Sequence, residues 1–315
     1  MRSVTWAGRH ASALLLVGFC VIPFVPVSPQ LFRPMLPPLV ILVTALAVIR
    51  QPLTFGDLRQ LFSRKMLCHA VAFVTGGQLA LALILRAAAL ATDMPMVVFL
   101  PVAAFLAAPP LSSGPNLASL LGYDHPRALV LTLTGTLLAP LTIPASLSIA
   151  GLPFDAPILS IAAEVFSLLA GGIVLGIFLQ AVFGMSRIHA ARQHLNGLAA
   201  IAMIIFLIPL VGGTALLMLR DPVIAFNLFL LAVALNVGGN ILFRTIARRA
   251  FAPSDAASQG LIFGNRNMAL LLAILPFDPR LSLFVAVMQA PIYMSPFIFS
   301  CFKVKDRPCA TSSAS

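Results

Sequence analysis

Polar side chains able to hold an ion cluster in two short stretches of this sequence. The first is Ser112, Ser113 and Asn116, set among Pro109, Pro110, Gly114 and Pro115. The second is Asn265, Arg266 and Asn267, which follow Gly260 and Gly264. Both stretches interrupt long apolar runs. Proline removes a backbone donor and leaves the carbonyl four residues earlier unpaired. The ends of a broken helix can stabilise an ion, and a guanidinium can grip a carboxylate or sulfate with two bonds. The chemistry these residues offer is binding rather than bond-making. Arg266 and Glu164 are the two formal charges inside the apolar runs, and Glu164 is the only glutamate in the chain. A charge at a bilayer centre costs at least about 2.5–3.5 kcal/mol, so each is a candidate site residue and the two are a candidate pair.

The elements that must position these residues are membrane helices. Of the 315 residues, 60% are hydrophobic and only 9% charged. Soluble domains average about 25% charged residues. Mean hydropathy is +1.03. Disorder, coiled coil and a secreted disulfide scaffold are excluded, and a β-barrel fails because the apolar runs do not alternate with period two. Ten runs are long enough to cross: 11–28, 35–49, 67–85, 95–121, 128–150, 156–184, 197–219, 222–243, 256–275 and 281–302. The first is read as a retained helix rather than a signal peptide, because Pro-Val-Ser-Pro-Gln after it lacks a small-x-small cleavage site.

The net charge of +11 does not indicate nucleic acid, because the basic residues sit in short loops. With the N-terminus inside, fifteen of the twenty Lys and Arg fall on the inner side and four (Arg33, Arg86, Arg220, Arg280) on the outer. That bias predicts cytoplasmic termini in an inner membrane.

A weak internal repeat links Ser113–Leu121 to Gly264–Leu272 and Ala139-Pro140 to Ala290-Pro291, both at an offset of 151 residues. This carries segment 4 onto segment 9 and segment 5 onto segment 10. A shift of five helices is odd, so the halves run in opposite senses, a common plan for secondary transporters. The expected architecture is all-α, with repeats over 1–153 and 154–315.

Further polar residues lie in segments 3–5 and 8–10: Gln78, Thr132, Thr134, Thr136, Thr142, Asn236, Asn240 and Gln289. Segments 1, 2 and 7 are almost without amides. The spans hold one acid, Glu164, and one histidine, His69. That is too little for a metal centre or a nucleophilic triad, so an enzyme is not expected. The four cysteines, Cys20, Cys68, Cys301 and Cys309, are scattered without paired spacing. The Ser-rich stretch after Lys305 reads as disordered.

The run Ala108-Pro-Pro-Leu-Ser-Ser-Gly-Pro-Asn116, the run Thr132-Leu-Thr-Gly-Thr-Leu-Leu-Ala-Pro-Leu-Thr-Ile-Pro144 and Gly264-Asn-Arg-Asn267 resemble the bile acid:sodium symporter family. The resemblance implies a core domain of segments 3–5 and 8–10 against a panel of segments 1, 2, 6 and 7, with segments 4 and 9 crossing at the centre. It also implies sodium-coupled uptake of small organic anions by alternating access. Asn116 and Thr132 fall on sodium-site positions, and Asn265, Arg266 and Asn267 on the crossover tripeptide. Two positions depart from the family pattern. Ile262 stands where the family has an acid, and Arg266 where it has an amide. A guanidinium about 4 Å from a cation repels it by roughly 4 kcal/mol at an effective dielectric of 20. These departures predict a proton-coupled or uncoupled anion carrier, or a non-transporting sensor subunit, as alternatives to sodium symport. No cysteine lies in segment 4, where the family's arsenite exporters have one, so arsenite is not the expected substrate.

Overall fold

The computed structural model describes residues 5–6, 10–25, 29–50, 63–152 and 158–300. The boundary between residues 153 and 154, Cys301, Cys309 and the Ser-rich tail lie outside the described residues. So do the flanking charges Arg2, Arg9, Arg59, Lys303, Lys305 and Arg307. Helix is the regular structure throughout the described residues, apart from one isolated antiparallel bridge between Pro110 and Arg266.

In chain order the main helices are α1 (Ala11–Val21), α2 (Arg33–Arg50), α3 (Arg64–Thr92), the broken α4 (α4a, Met96–Ala107; α4b, Gly114–Leu120), α5 (His125–Ala150), α6 (Ile158–Phe183), α7 (Arg192–Arg220), α8 (Pro222–Ala247), the broken α9 (α9a, Pro253–Gly264; α9b, Met268–Ile274) and α10 (Pro279–Ser300). Seven of them, α2, α3, α5, α6, α7, α8 and α10, are each long and apolar enough to cross a bilayer. Their outer faces carry Leu83 and Ile84 on α3 and Phe166, Val174 and Phe178 on α6, all exposed. In water such faces would associate; against acyl chains they are at rest. The chain is an all-α, multi-pass membrane protein.

Helix ends follow local chemistry. The Asp124 carboxylate accepts the Arg127 backbone N–H at 2.7 Å and starts α5, and Asp278 does the same for Leu281 at 2.7 Å at the start of α10. Gly151, at φ 84°, ends α5 in the left-handed region that favours glycine.

The helices run further than the apolar windows. The segments expected at 67–85 and 222–243 stop one residue short of Arg86 and Arg244, yet α3 and α8 continue through both. Glu164 and Arg266 are therefore not the only charges in the membrane helices. A hydropathy window ends at a charge, whereas a helix continues wherever that charge finds a partner or reaches water. Arg86 donates to the Ile149 carbonyl at 3.3 Å. Arg244 is buried and donates to the Tyr123 hydroxyl at 3.3 Å.

Small residues set the closest helix contacts. On α6, a Cβ added to Gly172 would lie 2.6 Å from Thr44 Cβ, and one added to Gly176 would lie 2.7 Å from Val48 Cβ, both on α2. This is the small-xxx-small spacing by which membrane helices pack without a hydrophobic drive. α3 and α8 each contain one π-turn, over Ala72–Gly76 and Ala234–Gly238. The two turns share a pattern: Ala72-x-x-x-Gly-Gly-Gln78 and Ala234-x-x-x-Gly-Gly-Asn240. π-turns of this kind are frequent at functional sites.

Candidate functional site: the crossing of two broken helices

α4a stops at Ala107 because two prolines follow. A residue before proline is driven out of the helical region, and Ala108 is extended at φ −64°, ψ 139°. α9a stops at Gly264, and Asn265 is extended at φ −103°, ψ 96°. The two extended pieces run antiparallel. Leu111 N–H donates to the Asn265 carbonyl at 2.9 Å, and Asn267 N–H donates to the Pro109 carbonyl at 2.8 Å. Exchanging 109 with 265, 110 with 266 and 111 with 267 turns one hydrogen bond into the other. The two bridged residues, Pro110 and Arg266, are 156 positions apart. The sequence offset of 151 pairs Asn267 with Asn116 instead.

The carbonyls freed by the break are accounted for in turn. Gln78 Nε2 of α3 donates to Ala107 O at 2.6 Å, Arg266 Nη1 to Ala108 O at 3.1 Å and Asn267 N to Pro109 O at 2.8 Å. On the other strand, Asn236 Nδ2 of α8 donates to Gly264 O at 2.7 Å and Arg266 Nε to Phe263 O at 2.9 Å. An unpaired carbonyl in hydrocarbon costs several kcal/mol, which is why each break recruits an amide from the neighbouring helix.

Arg266 is the charged centre of this arrangement. It is 5% exposed, and its guanidinium lies 4.7 Å over the Phe263 ring. Among the described residues its Nη2 has no hydrogen-bond partner and no carboxylate pairs with it. Glu164 is exposed on α6 and its charge acts on Arg33, so the candidate Arg266–Glu164 pair does not form.

Asn265 is fully buried and joins a small network. It donates to Leu261 O at 2.9 Å and accepts from Ser295 Oγ at 3.2 Å and from Asn236 Nδ2 at 3.4 Å. Ser295 carries no signal of its own in the sequence; only the fold brings α10 to the crossing. Ser112, Ser113 and Asn267 are partly exposed, and among the described residues their side chains make no hydrogen bond. Gln289 is buried but donates to Val285 O within its own helix.

Asn116 and Thr132 differ in burial. Asn116 is exposed on α4b, while Thr132 is buried on α5 with its Oγ1 unpartnered. That oxygen lies 3.5 Å from where a Cβ on Gly114 would stand, and Ile262 Cδ1 lies 2.6 Å from the same point. The Ile262 methyl and the Thr132 hydroxyl thus both stand over Gly114.

A second polar cluster, missed in the sequence, joins the ends of α5, α8 and α9a. Arg127 and Asp255 form an ion pair at 3.2 Å, and Arg127 lies 5.1 Å over Phe251. Ser258 Oγ donates to Asp124 O at 2.8 Å. Burial, then the adjoining Asp255 carboxyl, push the Asp124 carboxyl above its usual range. A carboxyl raised in the folded state favours folding fully below its unfolded value, and loses that favour as pH rises through its folded value. Melting temperature should therefore rise as pH is lowered from neutral into the mildly acidic range, and Asp124→Asn should flatten that rise. A melting curve with the same slope in the variant would refute this.

No protein-family model and no curated protein matches the chain.

Proposed function

We propose that the protein is a secondary transporter of small organic anions, working by alternating access on the plan of the bile acid:sodium symporter family it resembles. In this reading ten segments cross an inner membrane, with both termini cytoplasmic. Two inverted five-helix repeats, 1–153 and 154–315, supply a core of α3–α5 and α8–α10 and a panel of α1, α2, α6 and α7. The observation that carries the reading is the symmetric crossing at Pro110 and Arg266. Two further likenesses support it. α4a and α9a are each twelve residues long, and α4b and α9b are each seven. The helix before each break, α3 or α8, contains a π-turn followed by glycine. Crossed half-helices near the midplane are where such carriers bind substrate.

The ligand at the crossing is an anion, taken by the uncommitted Nη2 of Arg266 with the free hydroxyls and amide of Ser112, Ser113 and Asn267. Sodium coupling is lost in this reading. The family's acidic position is Ile262, packed over Gly114, and a fixed cation stands at the crossover.

The test is melting temperature in sodium chloride against choline chloride at equal ionic strength, followed by anion uptake into liposomes with and without sodium. Equal melting in both salts and sodium-independent uptake are expected. A saturable rise specific to sodium would restore sodium symport through Asn116 and Thr132. Absence of flux for a broad anion panel would defeat the transporter reading in favour of a sensor subunit.

A further inference from the structure

Away from the crossing, a cavity of about 130 Å³ lies between the C-terminal end of α2 and the N-terminal end of α7, lined by Arg50, Ile188, His189, Arg192 and Leu195. Its polar lining is basic. No Asp or Glu occurs in 33–50 or in 184–199. Arg50 is partly buried and spends its Nε on Leu46 O at 3.1 Å, within its own helix. Among the described residues its two Nη groups have no hydrogen-bond partner. Arg192 begins α7, so the positive end of that helix reinforces its charge. His189 adds a ring nitrogen. Two guanidiniums lining a cavity that has no carboxylate among its described lining residues match a phosphate group, which they can grip through paired donors.

The surroundings identify the source of that phosphate. Val182, Phe183 and Met185 are exposed just before the cavity in sequence, and Leu198 is exposed on α7 beyond it. The pocket sits at the ends of two helices long and apolar enough to cross a bilayer, and the ends of such helices are where headgroups would lie. Charged donors flanked by exposed apolar side chains suit a ligand with an anionic head and acyl tails. Basic pockets between membrane helices are known to take such headgroups. We propose that this pocket binds the phosphate of an anionic phospholipid and so ties α2 to α7. This inference is independent of the transport reading.

The test follows the melting temperature of the full chain in detergent at fixed ionic strength. The protein is titrated with short-chain phosphatidylglycerol, with phosphatidylcholine of equal chain length, and with inorganic phosphate. Phosphatidylglycerol should give a saturable rise at a half-saturating concentration at least tenfold below that of phosphatidylcholine. Arg50→Gln with Arg192→Gln should raise that concentration at least tenfold. If the pair melts too low to titrate, Arg192→Gln alone, at an exposed position, should raise it at least threefold. A rise with inorganic phosphate but not with phosphatidylglycerol, lost in the variants, would keep the phosphate site and overturn its assignment to lipid. Equal responses to the two lipids, or responses unchanged in the variants, would overturn the proposal.

Discussion

Arg266→Ala is expected to lower the melting temperature substantially and, if the proposed transport function holds, to abolish anion uptake. The substitution removes two charge-assisted hydrogen bonds, to Ala108 O at 3.1 Å and Phe263 O at 2.9 Å. It leaves both carbonyls unpaired, at about 1–3 kcal/mol each, so the loss is about 2–6 kcal/mol before packing is counted. Stacking on Phe263, worth about 2 kcal/mol when desolvated, is lost as well. Against this stands relief of a buried charge that lacks a carboxylate partner, a penalty of several kcal/mol. The unpaired carbonyls decide the sign, because the truncated side chain leaves no protein group to satisfy them. Arg266→Lys should fall between wild type and Ala. One compact ammonium keeps the charge but cannot reach two carbonyls on separate half-helices as a planar guanidinium does. Melting curves of the three proteins in one detergent check this. An Ala variant as stable as wild type would mean that Arg266 does not tie α4 to α9.

Gly264→Ala is expected to be comparably severe, for a reason unconnected with charge. A Cβ at position 264 would lie 2.4 Å from Asn236 O and 3.1 Å from Asn240 Cβ. At Gly260 it would lie 2.4 Å from Asn240 O and 3.0 Å from Arg244 N. Backbone atoms cannot rotate away, so α8 and α9a must separate. Overpacking of this kind costs about 1–3 kcal/mol, occasionally more. At Gly264 the separation also strains the 2.7 Å bond from Asn236 to Gly264 O. That adds about 1 kcal/mol and disturbs Asn265 and Ser295 with it. Because the two sites share one interface, the double variant should cost less than the sum of the singles. Gly76→Ala and Gly238→Ala are the controls. No atom lies within 4 Å of an added Cβ at either position, so their melting temperatures should stay near that of wild type. Losses at Gly76 and Gly238 as large as those at Gly260 and Gly264 would overturn the contact argument, because helix propensity favours alanine and cannot produce a loss.

The glycines also mark a limit of reading in one dimension. Gly260 and Gly264 look like interruptions in segment 9, beside Asn265. In the fold, α9a runs unbroken through Gly260, and both glycines serve to let the backbone of α8 approach. The matching pattern of Ala, Gly-Gly and an amide at 72–78 and 234–240 is present in the residues, yet its meaning depends on the π-turns that hold it.

The sequence by itself determined that this is a helical membrane protein. It also located the two breaks, at Pro109-Pro110 and at Asn265–Asn267, because hydropathy and proline sterics act within a few residues of chain. It marked Arg266 as the charge at the second break. Only the tertiary structure decided which polar groups meet. A helix turns about 100° per residue, so a small error in facing separates a buried Thr132 from an exposed Asn116. The same rotation placed Glu164 on an outer face and brought Ser295 to Asn265. The pairing of Pro110 with Arg266 joins residues 156 positions apart. It rests on hydrogen bonds that two extended strands can make only once their half-helices have packed.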